Sequence, residues 1–285
     1  MSIVVTGATG HLGRLVIESL LARGVEPEQI VAAGRNVQKI ADFAERGVTV
    51  APIDYDDPAT LERAFAGADT LLLISASEVG HRLQQHLNVI DAAVAAGVGR
   101  IVYTSAPHAD DTALAVAPEH KATEAAITAS GLPFTILRNG WYTENYVSVL
   151  EQARTTGTVL ASVGDGRVAS ASRADYADAA AVVLIEDGHV GRVYEVTGDV
   201  AWSFDDLADA ISSIIDRSVV YTPVSSDEHL RILTDAGLDA GTAGFVVALD
   251  GNIRDGLLGE TNGELRGLIG RPTTPLAEGL SAAIG

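Results

Sequence analysis

The sequence predicts an α/β fold, a doubly wound parallel sheet with helices on both faces, followed by a smaller, mostly helical C-terminal lobe. Three observations lead there. Short apolar runs alternate with helical stretches through the first half of the 285 residues; the first run, from Ile3, leads into glycines at Gly7, Gly10 and Gly13; and the alternation loosens after Gly140. The chain has no cysteine, which excludes disulfides, thiolate metal sites and cysteine nucleophiles, and no metal site is predicted. A formal net charge of −19 opposes binding to nucleic acid or insertion at an anionic membrane. No apolar run approaches the length of a membrane span, and a strand begins at once without a basic, apolar leader, so a cytoplasmic protein is expected.

Taken in order, helix one is expected over Gly10–Arg23, strand two over Gln29–Ala33, helix two over Val37–Arg46 and strand three over Val48–Pro52. Asp57-Pro58 reads as a cap followed by the first helical residue, opening a helix to about Ala66. The apolar run Thr70–Ile74, a helix over Arg82–Ala96, strand Arg100–Thr104, a helix over Glu119–Ser130 and strand Pro133–Leu137 complete six strands. Beyond Gly140 come a helix over Tyr142–Thr155, strand pieces Thr158–Ala161 and Arg167–Ala171, a helix over Arg173–Glu186 and a further sheet strand, Val193–Val196. Ser203 caps a helix to about Asp216, Ser218–Thr222 reads as a strand, and the remainder is mostly helical. The domain division expected is a dinucleotide-binding domain over 1–155 and a smaller substrate lobe over 156–285, with some segments returning to the main sheet and a ligand cleft between lobe and sheet.

The stretch Ile3–Leu15 has the makings of a dinucleotide site. Gly7 supplies a backbone angle that other residues resist, Gly10 lets the chain approach a pyrophosphate, and Gly13 lets helix and strand pack closely. The helix N-terminus then presents N–H groups and a partial positive charge to phosphate. The spacing G-x-x-G-x-x-G resembles that of the short-chain dehydrogenase/reductase superfamily rather than the commoner G-x-G-x-x-G. Strand two ends Ala33-Gly34-Arg35-Asn36, with no acid for a ribose hydroxyl and an arginine able to grip a 2′-phosphate, which points to NADPH. Asp54, at the end of strand three, is either an adenine contact or a loop cap.

The usual acid of simple carbonyl reduction is missing. Lysine lies four residues after none of the seven tyrosines, so there is no Tyr-x-x-x-Lys pair to deliver a proton. Where the pair would sit, His120 and Glu124 share a helical face, either as an imidazole steered by a carboxylate or as an ordinary surface pair, and Lys121 points elsewhere. Hydride transfer to a quinone tolerates this lack, because the product is a phenolate whose conjugate acid has a pKa of about 10.

Several separated blocks together resemble one family. They are Ser75-Ala76-Ser77-Glu78-Val79-Gly80, Tyr103-Thr104-Ser105 with His108-Ala109-Asp110, the His120 to Glu124 helix, Leu137 to Tyr146 and Ala169 to Tyr176. In this order they are similar to the type-2 NADPH-dependent quinone oxidoreductases, NmrA-like atypical short-chain reductases related to the triphenylmethane dye reductases. The resemblance covers essentially the whole chain and implies a flavin-independent, NADPH-dependent reductase of quinones or similar conjugated acceptors. It implies cofactor contacts at Gly7, Ala8, Thr9, Gly10, His11 and Leu12, at Arg35, at Leu73, Ile74 and Ser75, at Leu137, Arg138, Asn139, Gly140, Trp141 and Tyr142, and at Arg173. Asn139, Tyr142 and Asn145 are then expected where cofactor and acceptor meet, with His120 as a further catalytic candidate. Lys121 and the Ala106-Pro107 turn are not tied to the family pattern and are candidates for altering substrate choice. Two other readings stay open, a nonenzymatic NADP-redox-sensing NmrA-like regulator and a reductase of dyes, imines or ketones. The expected partner is a small quinone-like substrate, and homo-oligomerisation is left open.

Overall fold

A computed structural model describes residues 1–78 and 80–285; Val79, part of the Ser75–Gly80 block, lies outside the described residues. From the N-terminus the elements are β1 (Ile3–Val5), α1 (His11–Ala22), β2 (Ile30–Gly34), α2 (Ala41–Glu45), β3 (Thr49–Pro52), α3 (Pro58–Phe65) and β4 (Thr70–Leu73). Next come α4 (Arg82–Ala95), β5 (Arg100–Ser105), α5 (Ala117–Ala129), β6 (Phe134–Asn139), α6 (Val147–Thr156), β7 (Thr158–Ala161), β8 (Arg167–Val168), α7 (Arg173–Ile185) and β9 (Arg192–Val196). The chain ends with β10 (Trp202–Ser203), α8 (Phe204–Ile215), β11 (Val220–Pro223), α9 (Ser226–Asp235), α10 (Ala240–Arg254), α11 (Glu264–Ile269) and α12 (Leu276–Ile284).

Seven strands form the main sheet in the order β3-β2-β1-β4-β5-β6-β9, the expected six plus the strand after α7. β1 pairs in parallel with both β2 and β4, setting Val4 beside Val31 and Leu71. Parallel pairing continues from β2 to β3, from β4 to β5 and from β5 to β6. The order turns outward in both directions from β1, so the ends of β1 and β4 form the switch point where open α/β sheets bind ligands. Burial on both faces explains why these strands read as unbroken apolar runs: Ile3, Val4, Val5, Leu71, Leu72 and Leu73 are all fully buried.

Contacts divide the chain into two compact units. The first comprises Met1–Asp110, Val116–Asn139 and Arg173–Glu195; the second comprises Asp111–Ala115, Gly140–Ser172 and Val196–Gly285. Residues 140–155 therefore group with the second unit, whereas the sequence pattern placed them in the first. α7 belongs to the first unit and packs along α1, where the Ser19 hydroxyl donates to Asp178 Oδ1 at 2.7 Å. In the second unit, β7 pairs with β11 in parallel and β8 with β10 antiparallel. An aromatic group fills its interior, with the Tyr146 and Trp202 rings edge to face at 4.9 Å and Phe204 5.9 Å from each.

The two sequence-predicted caps form. The Asp57 carboxylate accepts the Ala59 N–H at 3.1 Å, and Ser203 exchanges hydrogen bonds with Asp206 in a capping box. Three expected elements are corrected. The helix expected over Val37–Arg46 is a 3-10 turn, Val37–Ile40, followed by α2, because Ile40 leaves helical geometry at φ −126°, ψ 24°. The helix expected from Tyr142 starts as a 3-10 turn, Thr143–Tyr146. The strand expected over Arg167–Ala171 stops at Val168, since the Ala169 N–H bonds to Leu258 O at 2.7 Å and the Ala171 N–H to Trp141 O at 3.1 Å.

Gly13 is the position where the fold depends most directly on a missing side chain. A Cβ there would lie 2.4 Å from the Gly7 carbonyl oxygen and 2.8 Å from Ala8 Cα. Gly13→Ala is therefore expected to destabilise the protein by about 1–3 kcal/mol, since backbone on the other side of the contact cannot yield cheaply. Gly244→Ala, inside α10 with open space around its Cβ, is expected to stabilise by up to about 1 kcal/mol. Urea unfolding of both variants checks the contrast.

Candidate active site

The cofactor-binding candidates begin in the turn after β1. Gly7 takes φ +62°, a left-handed angle that favours glycine, and the turn closes with the Gly10 N–H on Gly7 O at 2.9 Å. Gly10 is the N-cap of α1, no side chain caps the helix, and its first turn carries no acid. The first N–H groups of α1 are thus left to a ligand or water, and a Cβ on Gly10 would meet only the Gly7 carbonyl, at 3.3 Å. An uncapped helix start behind a close glycine turn suits a pyrophosphate, so these residues fit a dinucleotide. Ala8 and Leu12 are buried and fix the turn, Thr9 is half-buried, and His11 is exposed.

Arg35 follows β2 directly. Its side chain is 65% exposed, and Nη1 pairs with Glu78 Oε1 at 2.8 Å. Asp54 acts as a loop cap, its Oδ1 accepting the Asp56 N–H at 3.1 Å.

The segment leaving β4 is held by side chains rather than by the sheet. Ile74 N–H donates to Thr6 Oγ1 at 3.1 Å, and the Tyr55 hydroxyl donates to Ile74 O at 3.1 Å. Ser75 N–H donates to Thr104 Oγ1 at 2.9 Å, Ala76 N–H to His86 Nε2 at 2.9 Å, and Arg82 Nε to Ala76 O at 2.6 Å. Five of the six backbone polar groups of Ile74–Ala76 thereby end on side chains. Of this segment, Leu73 is buried while Ile74 and Ser75 are half-buried.

Beneath the segment the polar groups interlock. Arg82, itself buried, also donates from Nη1 to His120 Nε2 at 3.1 Å and has Glu119 Oε2 at 4.0 Å. Neither a guanidinium nor a backbone N–H can accept, so the Nε2 atoms of His120 and His86 are acceptors and the proton of each neutral ring sits on Nδ1. His120 Nδ1–H then donates to the Tyr103 hydroxyl at 2.7 Å, and His86 Nδ1–H to Thr123 Oγ1 at 2.9 Å. Burial, reinforced by Arg82, pushes His120 down to about 3; burial, His120 and Arg82 together push His86 down to about 3. Burial raises the Tyr55 and Tyr103 hydroxyls, which stay protonated.

The expected pairing of His120 with Glu124 does not form. Arg138 takes Glu124 in a two-pronged grip, Nε to Oε1 at 3.0 Å and Nη2 to Oε2 at 2.7 Å, and Ser105 Oγ donates to the same carboxylate. A bidentate arginine is a stronger partner than a neutral imidazole, which is why shared helical spacing misled here. Arg138 Nη1 also meets Glu195 Oε1 and Asp110 Oδ1, each at 2.8 Å. Burial works against this cation, yet its hydrogen bonds to the three carboxylates hold its pKa above the usual range. The Arg138 side chain, expected at the cofactor, is thus committed to carboxylates. Lys121 Nζ donates to Asp110 O at 2.6 Å, on the exposed side of α5.

Leu137 and Asn139 are buried at the end of β6 in the first unit. Gly140, Trp141, Tyr142 and Asn145 belong to the second unit, each half-buried. There Gly140 N–H bonds to Val196 O at 2.8 Å, Tyr142 bridges to Ala171, and Thr143 N–H donates to Ala171 O at 2.9 Å. Arg173 opens α7 and is half-buried. Sequence reasoning missed Thr6, Tyr55, Arg82, His86, Tyr103 and Thr104 as builders of the site. Only the i, i+4 spacing of Arg82 and His86 on α4 hinted at a shared face. Among the described residues no cluster of histidine, aspartate and glutamate holds metal-binding geometry, and no helix is long and apolar enough to cross a membrane.

A family model described as NAD(P)H-binding matches residues 7–187. Quinone oxidoreductase 2 of Escherichia coli is 47% identical over 279 residues, 98% of this chain and 97% of the relative. The crystal structure of the E. coli NADPH-dependent quinone oxidoreductase complexed with NADPH matches with a TM-score of 0.94 at 46% identity, covering 99% of this chain and all of that one. The Citrobacter sp. triphenylmethane reductase complexed with NADP(H) matches with a TM-score of 0.91 at 39% identity, again over 99% of this chain and 100% of that one. The chain belongs to the NAD(P)H-binding family, among the type-2 quinone oxidoreductases that its sequence blocks resemble.

Two histidines kept neutral by burial make stability depend on acid. Their folded pKa values lie below the unfolded value near 6.5, so their contribution is complete above pH 6.5 and is lost as pH falls from there toward about 3. Within that window each histidine is expected to remove roughly 1.4 kcal/mol of stability per pH unit. His120→Gln should flatten the dependence by about one proton, read from urea midpoints between pH 7 and pH 5.

Proposed function

We propose that this chain is an NADPH-dependent oxidoreductase that reduces quinones or similar conjugated acceptors directly, without a flavin. The observation that carries the reading is the uncapped start of α1 behind the Gly7 turn, in a chain that matches a quinone oxidoreductase holding NADPH from end to end. In this reading the N–H groups at His11 and Leu12 face the pyrophosphate, with Ala8, Thr9 and Gly10 shaping the turn. Arg35 receives the 2′-phosphate. Leu73, Ile74 and Ser75 orient the nicotinamide half, and their fixed backbone supports that role. In the first unit Leu137, Asn139 and Arg173 are further contacts, with Arg138 reaching the cofactor through its main chain alone. From the second unit we assign Gly140 and Trp141 to the cofactor, and Tyr142 and Asn145 to the acceptor. The second unit is the substrate-choosing one.

NADPH, when bound, supplies a hydride to the acceptor ring. The product phenolate has a conjugate acid of pKa about 10, so water or a weak donor completes the protonation. This accords with the absence of Tyr-x-x-x-Lys and with a His120 whose single proton already faces Tyr103. We therefore treat His120 as a positioning residue that holds Arg82, and through it the Ala76 carbonyl. A cytoplasmic location and a small-molecule acceptor belong to the same reading, and net charge −19 argues against nucleic acid as partner.

The purified protein should oxidise NADPH when given benzoquinone or naphthoquinone, with a triphenylmethane dye as a second acceptor class. Bound NADPH with no turnover on any of these would overturn the reading. Arg35→Ala should raise KM for NADPH about 10- to 100-fold with little change for NADH, as expected when a charge-assisted hydrogen bond worth roughly 1.5–3 kcal/mol is lost. His120→Gln should raise KM for NADPH while kcat stays within about threefold. A collapse of kcat with unchanged KM would instead make His120 a proton donor.

A further inference from the structure

The end of β2 lacks the acid that enzymes using NAD place there for the ribose hydroxyl. In the folded chain a carboxylate from elsewhere reaches the arginine that follows β2. Glu78, 43 residues further along in the turn after β4, sets Oε1 2.8 Å from Arg35 Nη1. Its other oxygen accepts from Gln85 Nε2 at 3.2 Å, and that nitrogen also donates to Asp56 Oδ2 at 3.0 Å. The Glu78 carbonyl accepts the N–H of Arg82 at 2.8 Å and of His81 at 3.0 Å, which seats the residue at the start of α4. The carboxylate is therefore held on two sides and aimed at the cation.

An exposed pair of this kind adds little to stability, with side chains 65% and 43% accessible. Its consequence lies in what it does to Arg35. A guanidinium edge taken by a carboxylate is not available to a phosphate oxygen until the carboxylate yields, and an unphosphorylated ribose makes no such demand. It also finds a hydroxyl acceptor in the carboxylate. We propose that Glu78 is a specificity-determining residue that moderates the preference for NADPH over NADH by competing for Arg35. This rests on the assignment of Arg35 to the 2′-phosphate.

Glu78→Gln preserves size and an acceptor for Gln85 while removing the charge. Titration of NADPH and NADH fluorescence gives Kd for each cofactor without turnover. With Arg35 intact, Glu78→Gln should tighten NADPH about two- to fivefold, the range an exposed ion pair allows, and should leave NADH unchanged or weaker. The ratio of Kd for NADH to Kd for NADPH should thus rise by at least about twofold, more at low salt than at high salt. In an Arg35→Ala background the same substitution should leave NADPH affinity within about twofold. If Arg35→Ala weakens NADPH but Glu78→Gln leaves the ratio unchanged or lowers it, competition by Glu78 is overturned while the Arg35 assignment stands. An equal tightening with Arg35 absent would overturn it too. If Arg35→Ala alone leaves NADPH affinity unchanged, the 2′-phosphate assignment fails and the Glu78 proposal falls with it.

Discussion

The buried guanidinium of Arg82 is the interaction on which the β4 edge of the site depends. Removing an arginine from water is costly unless its N–H groups and its charge find partners, and Arg82 has them at Nε, at Nη1 and for its charge. Nε answers to the Ala76 carbonyl, Nη1 to His120, and the charge to Glu119 at 4.0 Å. This arrangement works only while His120 is neutral with its lone pair on Nε2. Protonation would place two cations against one another with no acceptor between them. Burial keeps the ring neutral, so the polar interior is self-consistent: the cation fixes the tautomer and the tautomer holds the cation. The result is a loop whose backbone directions are set before any cofactor arrives, which lowers the ordering cost of binding.

The same logic separates what the sequence made legible from what it did not. β1, β4, the glycine turn and the caps at Asp57 and Ser203 were readable because each depends on neighbours within a few residues: an apolar run, a left-handed angle, a side chain reaching the next turn. The anchoring of Ile74–Ala76 was not, because Thr6, Tyr55, His86 and Thr104 arrive from four separate segments that only the sheet order brings together. His120 and Glu124 show the hazard of local periodicity. Their spacing is right for a pair, but Arg138 on β6 offers Glu124 a bidentate partner and Arg82 on α4 claims the imidazole. Residues 140–155 group by contact with the second unit, and the only mark of that crossing in the sequence is the looser alternation after Gly140.

The absence of a strong acid also acquires a structural meaning. In place of a tyrosine activated by lysine, this chain has Tyr103 and Tyr55, both raised by burial and both engaged in holding backbone or imidazole. Phenols with raised pKa values are poor proton donors but durable hydrogen-bond posts. The interior beneath Ile74–Ala76 has been given over to rigidity. A site of that kind suits an acceptor whose reduced form needs little help with its charge, and disfavours an isolated ketone whose alkoxide demands a proton in the transition state.

Charge completes the argument. A chain of net charge −19 repels an anionic dinucleotide at long range, and at physiological ionic strength that repulsion fades beyond a Debye length of roughly 8 Å. Binding is then decided by the few donors at short range. The open N–H groups of α1 serve any dinucleotide alike, since both cofactors carry the same pyrophosphate. Discrimination falls to the proposed 2′-phosphate cation, Arg35, and to whatever tempers it. In an acidic protein a cation at the surface attracts carboxylates, and the one that reaches Arg35 is Glu78, from the same turn whose earlier residues Arg82 and His86 hold in place. In the proposed reading, one short segment, Ile74–Glu78, both tempers Arg35 at the adenosine end and backs the nicotinamide end, so a substitution there should be read at both ends of the cofactor.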